Sequence, residues 1–188
     1  MIEGYRIEGH AIVSADDRIA DPAGDTPPEL SNEADWLRFQ RALDAAAVVV
    51  VGRLSHQANP NTRRRNRVIV SSSAAGCEQR ADGWWWNPVG APLAVALAAA
   101  APDSGIVAVP GGRLIFDLFR TYGFDAFHLA RCETVRLPGG VPLFSAIDLG
   151  ATAETLLAQD GLEPGPREVL DTDAHVSLVV WKRSGWAA

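Results

Sequence analysis

Apolar residues in this chain come as short unbroken runs that alternate with stretches of helical spacing. Ala45 to Val51 is apolar at every position, as expected of a central parallel strand covered on both faces. Tyr5 to Ser14, Arg67 to Val70 and Ile106 to Val109 read as further strands, the first followed by a polar turn at Ala15 to Arg18. Between them, Trp36, Phe39 and Leu43 recur at helical spacing behind Ser31 or Asn32 as the cap, with Glu33 and Asp35 in the first turn. Asn87-Pro88 predicts the cap and first position of a helix reaching about Ala101, and Arg113 to Tyr122 is amphipathic. Ala126 to Val135 and His175 to Lys182 complete the strands, the last as an antiparallel edge. Asp21 to Leu30 carries three prolines and a glycine and reads as loop.

Strands alternating with helices predict one α/β domain over residues 1–188. Its central sheet is expected to be twisted and mostly parallel, with an antiparallel C-terminal edge strand and helices on both faces. Ligands of such sheets bind at the carboxyl ends of the strands.

Composition narrows the function. Hydrophobic residues make up 47% and charged residues 21% of the 188, an ordinary balance for a folded chain. The net charge of −6 argues against nucleic acid and against an anionic membrane surface as partners. The Ala-rich stretch Ala91 to Ala101, interrupted by Pro92, is too short to span a bilayer, which takes about 20 residues. Two separated cysteines, Cys77 and Cys132, and no leader-like N-terminus point to the cytoplasm. His10, His56, His128 and His175 include no i, i+4 pair, so no metal site is predicted, and no Gly-x-Ser-x-Gly elbow occurs.

The chemistry concentrates where strands end. Gly52-Arg53-Leu54-Ser55, Ser71-Ser72-Ser73 and Pro110-Gly111-Gly112-Arg113-Leu114 each follow an apolar strand. Glycines admit close approach of backbone to ligand, a helix N-terminus favours an anion, and an arginine fork matches a phosphate. A Gly-Gly in this setting also serves as a plain tight turn, but three such ends on one sheet form a rim suited to a ligand with several phosphates. Arg63-Arg64-Arg65 with Arg67 is the strongest basic cluster, either a solvated face or a seat for an anionic substrate tail. Trp84-Trp85-Trp86 reads as a strand segment whose middle ring faces opposite to its neighbours, with adenine stacking as the alternative.

Four segments resemble the dihydrofolate-reductase-like superfamily, and within it the reductase domain of riboflavin biosynthesis, over roughly residues 5 to 182. Ser14-Ala15-Asp16-Asp17-Arg18-Ile19-Ala20 is similar to an S-x-D-G-x-I-A segment, and Val48 to Arg53 to a strand leading to G-R or G-A. Ile106 to Gly112 matches a strand and its glycine turn, and Leu137 to Phe144 (LPGGVPLF) is similar to L-G-G-G-I-P-L-F. The resemblance implies an NADPH-dependent oxidoreductase of the CH-OH or CH-NH donor class, transferring hydride to a small heterocyclic or carbonyl substrate. It is similar in kind to 5-amino-6-(5-phosphoribosylamino)uracil reductase. Dihydrofolate reduction and a non-catalytic NADPH-binding sensor are the alternatives.

Carried over residue by residue, the resemblance implies cofactor contacts at Ala11, Gly52, Arg53, Ser55, Ser71, Ser72, Pro110, Gly111, Gly112, Arg113 and Leu114. Within that set, Ser71 and Ser72 fall near the 2′-phosphate and Gly111 to Leu114 at the pyrophosphate. Asp35, four residues before Phe39, falls where dihydrofolate reductases hold the pterin with an acidic side chain, which makes it the candidate proton handler. As a first-turn acid, Asp35 equally suits the helix dipole. Phe39 and Arg65 join it as candidate substrate contacts. Three positions depart from the pattern: Pro110 replaces a glycine or a substrate-contacting glutamate, Ile115 a tyrosine beside the nicotinamide, and Asp17 a glycine. Family members often dimerise, so the resemblance also admits a homodimer, for which the apolar C-terminal segment around Trp181 and Trp186 is the candidate surface.

Overall fold

Four consecutive valines, Val48 to Val51, are each less than a tenth exposed, because the strand holding them lies at the middle of a sheet covered on both faces. The structure is a computed structural model and describes residues 2–185. Its elements in chain order are β1 (Tyr5–Ser14), β2 (Arg18–Ala20), α1 (Glu33–Ala45), β3 (Val48–Gly52), α2 (Arg53–Ala58), β4 (Arg67–Val70), β5 (Cys77–Arg80) and β6 (Gly83–Trp86). There follow α3 (Leu93–Ala100), β7 (Gly105–Val109), α4 (Arg113–Tyr122), β8 (Ala126–Cys132), β9 (Val141–Pro142), α5 (Ala153–Gln159), β10 (Leu162–Asp171) and β11 (Val176–Arg183).

Nine strands form one sheet in the order β10-β11-β8-β1-β7-β3-β4-β6-β5. β8, β1, β7, β3, β4 and β6 run parallel, and the pairs at both ends are antiparallel. One face carries α3, α4 and α5 over a core that includes Phe116, Phe119, Phe124, Phe127 and Phe144, none more than 1% exposed. Burying each such ring stabilises the fold by about 1.5–3 kcal/mol. The other face carries α1, which packs Leu43 and Phe39 against Val49, Val51, Ile69 and Ala108. Trp85 belongs to this second face, and Trp84 and Trp86 pack on the first, as strand alternation requires.

The sheet differs from expectation at its margins. The antiparallel edge pair expected at His175–Lys182 is present as β11 with β10; the partner, β10, is the strand the sequence did not reveal, and it lies outermost. Pro164 and Pro166 disguise β10 in the sequence; an edge strand tolerates prolines because one side of its ladder is unpaired. The helix expected from Asn87-Pro88 starts only at Leu93, after Pro92. Pro92 has no N–H to continue a helical ladder and its ring would clash with the carbonyl four residues back, so it ends the preceding turn instead. There Asn87 Oδ1 accepts from the Val89 N–H at 3.1 Å and its Nδ2 donates to Ala74 O at 3.0 Å. Within the proline-rich loop, Pro28–Leu30 makes a short 3-10 turn that seats Leu30 in the interior.

Trp181, offered as part of an interface, is 6% exposed and belongs to the α3–α5 core, so it gives no surface to a second copy. Trp186 lies outside the described residues.

Candidate functional site

Three neighbouring strands, β7, β3 and β4, end side by side. Gly52 is the register partner of Val70, so Arg53 and Ser71 leave the sheet together, and β7 flanks β3 on the other side. The strand ends singled out in the sequence therefore form one rim.

Backbone geometry explains both glycines at β7. Gly111 sits at φ +105°, and a Cβ there would stand 2.5 Å from a ring carbon of buried Phe116. Gly112 caps α4 at φ +20°, and a Cβ there would meet nothing within 4 Å. Gly111 is thus demanded by packing, and Gly112 keeps open space above the N-terminus of α4, whose first N–H groups have no intrahelical partner. Gly52 faces the same turn: its Cβ would lie 3.2 Å from Ile115 Cγ1. Pro110 precedes the pair, and Ile115 is buried beneath it.

Around this cradle Arg53 is the exposed first residue of α2, its Nη1 donating to Gln57 Oε1 at 3.2 Å. Ser55 is half-buried in the same helix. The Ser71 hydroxyl is buried and donates to Ser73 Oγ at 2.9 Å while accepting from the Ser73 N–H, and Ser72 is exposed. Arg113 is half-buried with its Nε unpartnered among the described residues. Leu54 and Leu114, each second in its helix, are 70% and 71% exposed and add apolar surface beside the phosphate-suited groups. Ala11 packs on the α3–α5 side of β1, which runs beside β7.

The candidate substrate residues occupy the opposite face. Asn32 Oδ1 accepts from the Asp35 N–H at 3.1 Å and starts α1. The Asp35 carboxyl has no hydrogen-bond partner among the described residues, and burial pushes its pKa up to about 6 despite the Arg38 charge nearby. Arg38 itself is drawn to Glu168 of β10, Nη1 to Oε2 at 3.1 Å. Phe39, one turn on from Asp35, packs edge-on against His10, with ring centroids 6.4 Å apart. Arg65 is held away from this group by the far end of α1: its Nε donates to Asp44 Oδ1 at 2.8 Å and its Nη2 to Gln40 Oε1 at 2.6 Å. Arg64, exposed and at φ +52°, has no ion-pair partner among the described residues.

Two of the segments that carry the resemblance meet in space. β2 pairs antiparallel with β9, the Leu143 N–H donates to Asp17 O at 2.9 Å, and Arg18 Nη1 donates to Gly140 O at 3.1 Å. Asp17, which replaces a glycine, takes the left-handed conformation at φ +60° that a glycine would have supplied.

Sequence spacing separated residues that the sheet joins. Parallel pairing of β1 with β8 makes His10 the register partner of His128, with rings stacked at 4.4 Å, and Glu8 lies two residues earlier on the same face. Burial, then His128, then Arg38 lower the His10 pKa to about 3, so its ring is neutral. The available signal was polarity at alternate positions, Glu8 and His10, inside a strand otherwise made mostly of small and branched residues.

No family model and no curated protein match the sequence. Solved structures do match its shape. A pyrimidine reductase-like protein from Corynebacterium diphtheriae superposes with a TM-score of 0.68 at 14% identity, over 95% of this chain and 91% of that one. Dihydrofolate reductase from Enterococcus faecalis, complexed with NADP(H), gives 0.63 at 14% identity over 97% and 98%. A diaminohydroxyphosphoribosylaminopyrimidine deaminase/5-amino-6-(5-phosphoribosylamino)uracil reductase from Thermotoga maritima gives 0.63 at 16% identity; 95% of this chain covers 56% of that one. The chain therefore has the dihydrofolate-reductase-like fold. Among the described residues no helix is long and apolar enough to cross a membrane.

Proposed function

We propose that this chain is an NADPH-dependent reductase acting on a small heterocyclic or carbonyl substrate, similar in kind to the pyrimidine reductases whose fold it shares. The observation that carries the proposal is the rim: Gly111-Gly112, Gly52-Arg53 and Ser71-Ser72 end three adjacent strands beside the N-termini of α2 and α4. The cradle fits a dinucleotide on its own geometry, since Gly112 leaves room for a backbone-close ligand and the α4 N–H groups favour an anion.

In this assignment the backbone from Gly111 to Leu114 holds the pyrophosphate, with Pro110 fixing the entry to the turn. Arg53 and Ser55 contact phosphate from α2, and Ser72, with Ser71 bracing its turn, faces the 2′-phosphate. NADPH, when bound, supplies the hydride. The protein's contribution is positional: Phe39 gives the substrate an apolar wall, and Asp35 holds a proton at its carboxyl for delivery to the reduced centre. A carboxyl with a pKa of about 6 and no fixed donors is about one-tenth protonated at pH 7, far more than an ordinary aspartate, which favours a role as general acid. Of the arginine run, Arg64 is the free cation for an anionic substrate tail, because Asp44 and Gln40 occupy Arg65.

The test is titration of purified protein with NADPH, followed by its oxidation on addition of a ribityl aminouracil or of dihydrofolate. Saturable binding with turnover on the aminouracil supports the proposal, and turnover on dihydrofolate alone moves the activity to dihydrofolate reduction. Binding without turnover on either makes the chain a nucleotide sensor, and absence of binding overturns the proposal.

A further inference from the structure

Glu8, His10 and His128 offer one ligand atom each, and these atoms all lie within 4.8 Å of one another. We propose that they form a binding site for a divalent transition-metal ion of the zinc class, with the fourth position left to water or to a ligand. This assignment is independent of the reductase proposal.

The geometry is that of an incomplete coordination shell. Strand pairing fixes it: His10 and His128 are register partners on β1 and β8, and the period of two places Glu8 on the same face. Nε2 of His10 and Nε2 of His128 are both buried and lack a hydrogen-bond partner among the described residues. Buried imidazole nitrogens are ordinarily satisfied, so two orphans side by side call for a common partner. Glu8 Oε2 stands 3.3 Å from His128 Nε2, yet the pair does not meet hydrogen-bond geometry. Two ligands about 2.0–2.1 Å from a tetrahedral ion are about 3.3 Å apart, so this separation suits both atoms facing one ion. The two rings stack at 4.4 Å with their planes 14° apart, so at least one imidazole must turn for both nitrogens to aim at one ion.

Donor chemistry selects the ion. Two imidazoles and one carboxylate favour zinc and its neighbours over magnesium or calcium, which prefer oxygen ligands. One carboxylate leaves the bound dication with a net positive charge, so an anionic or polarised fourth ligand is favoured. The Phe39 ring, proposed above as an apolar wall for the substrate, has its centroid 6.4 Å from that of His10, so the ion would sit close to that wall. Three protein ligands with one open position is also the pattern of ions that polarise a bound group.

The test uses the full chain after removal of metal with EDTA, titrated with Zn²⁺ and separately with Co²⁺ as a spectroscopic probe. One equivalent should bind, with a tetrahedral Co²⁺ visible spectrum free of thiolate charge-transfer bands, and Zn²⁺ should raise the melting temperature. His10→Ala and His128→Ala should each weaken Zn²⁺ binding by more than about 100-fold, beyond the 10–100-fold usual for losing an outer partner. His56→Ala and His175→Ala should bind as the parent does. Glu8→Gln, nearly identical in shape, decides the matter if a histidine variant does not fold: weakened binding supports the site and unchanged affinity overturns it. A parent protein that binds no Zn²⁺, thiolate bands in the Co²⁺ spectrum, or binding lost in His56→Ala would equally overturn it.

Discussion

Asp17 and Arg131 form an ion pair, Oδ1 to Nη2 at 2.5 Å, that ties the turn after β1 to β8. The side chains are 9% and 15% exposed. Asp17 Oδ2 also accepts from the Ala153 N–H at 3.0 Å, capping α5, and Arg131 reaches Glu154 and donates to Ser14 O at 3.0 Å. The aspartate therefore does more than stand in for a glycine: it joins the strand, the turn and the last helix.

Removing that carboxylate leaves Arg131 partly unpaired in the interior. Asp17→Ala should cost about 3–5 kcal/mol, the range for breaking a buried pair. Asp17→Gly should be less damaging than Asp17→Ala by about 1–2 kcal/mol, since the left-handed conformation at φ +60° strains alanine and not glycine. Urea denaturation of the two variants measures the difference, and equal stabilities would remove the backbone argument.

What the sequence made legible follows from what is local. β3 was readable because Val48 to Val51 need cover on both faces, and α1 because Asn32, Trp36, Phe39 and Leu43 combine a cap with a period. The candidate rim was readable because Gly52, Ser71 and Gly111 each follow their own strand. β10 was not, since its prolines speak against a strand until its edge position is known. Nor was the meeting of His10 with His128, 118 positions apart, because strand order rather than spacing brings them together. The start of α3 was misplaced because Asn87-Pro88 is a good local cap and only Pro92 downstream forbids using it.

The two cradle glycines should fail differently. Gly111→Ala meets both a disallowed φ and the Phe116 ring, and should lower stability by about 2–4 kcal/mol. Gly112→Ala meets nothing and should lower stability by about 1 kcal/mol, but its methyl enters the space proposed for the dinucleotide and should weaken NADPH binding at least tenfold. Thermal melting paired with NADPH titration separates the effects.

Arg53→Ala should reduce NADPH affinity by about 1.5–3 kcal/mol if its guanidinium bonds a charged phosphate. Its present partner, Gln57, is neutral and one turn away, so loss of that contact alone would change stability little. Ser72→Ala should weaken NADPH and leave NADH unchanged if the exposed hydroxyl faces the 2′-phosphate. Fluorescence titration with each dinucleotide reads both outcomes; equal losses for NADPH and NADH would move Ser72 off that phosphate.

Asp35 gives the pH dependence its sign. With a native pKa raised by burial to about 6 from the ordinary aspartate value of 3.8, the folded protein holds the carboxyl proton where the unfolded chain has released it. Stability from this group is therefore complete below pH 3.8 and is lost as the pH rises through 6. Asp35→Asn carries no charge to bury and should be more stable than the parent at pH 8, by about 1–3 kcal/mol, with the gap closing below pH 4. Activity should move the other way. If Asp35 delivers the proton, turnover falls about tenfold per pH unit above 6, and Asp35→Asn lowers kcat by about 10²–10⁴ with the alkaline fall abolished. A stabilised Asp35→Asn that retains parental turnover and the same pH profile would make this acid a first-turn dipole partner of α1 and no more.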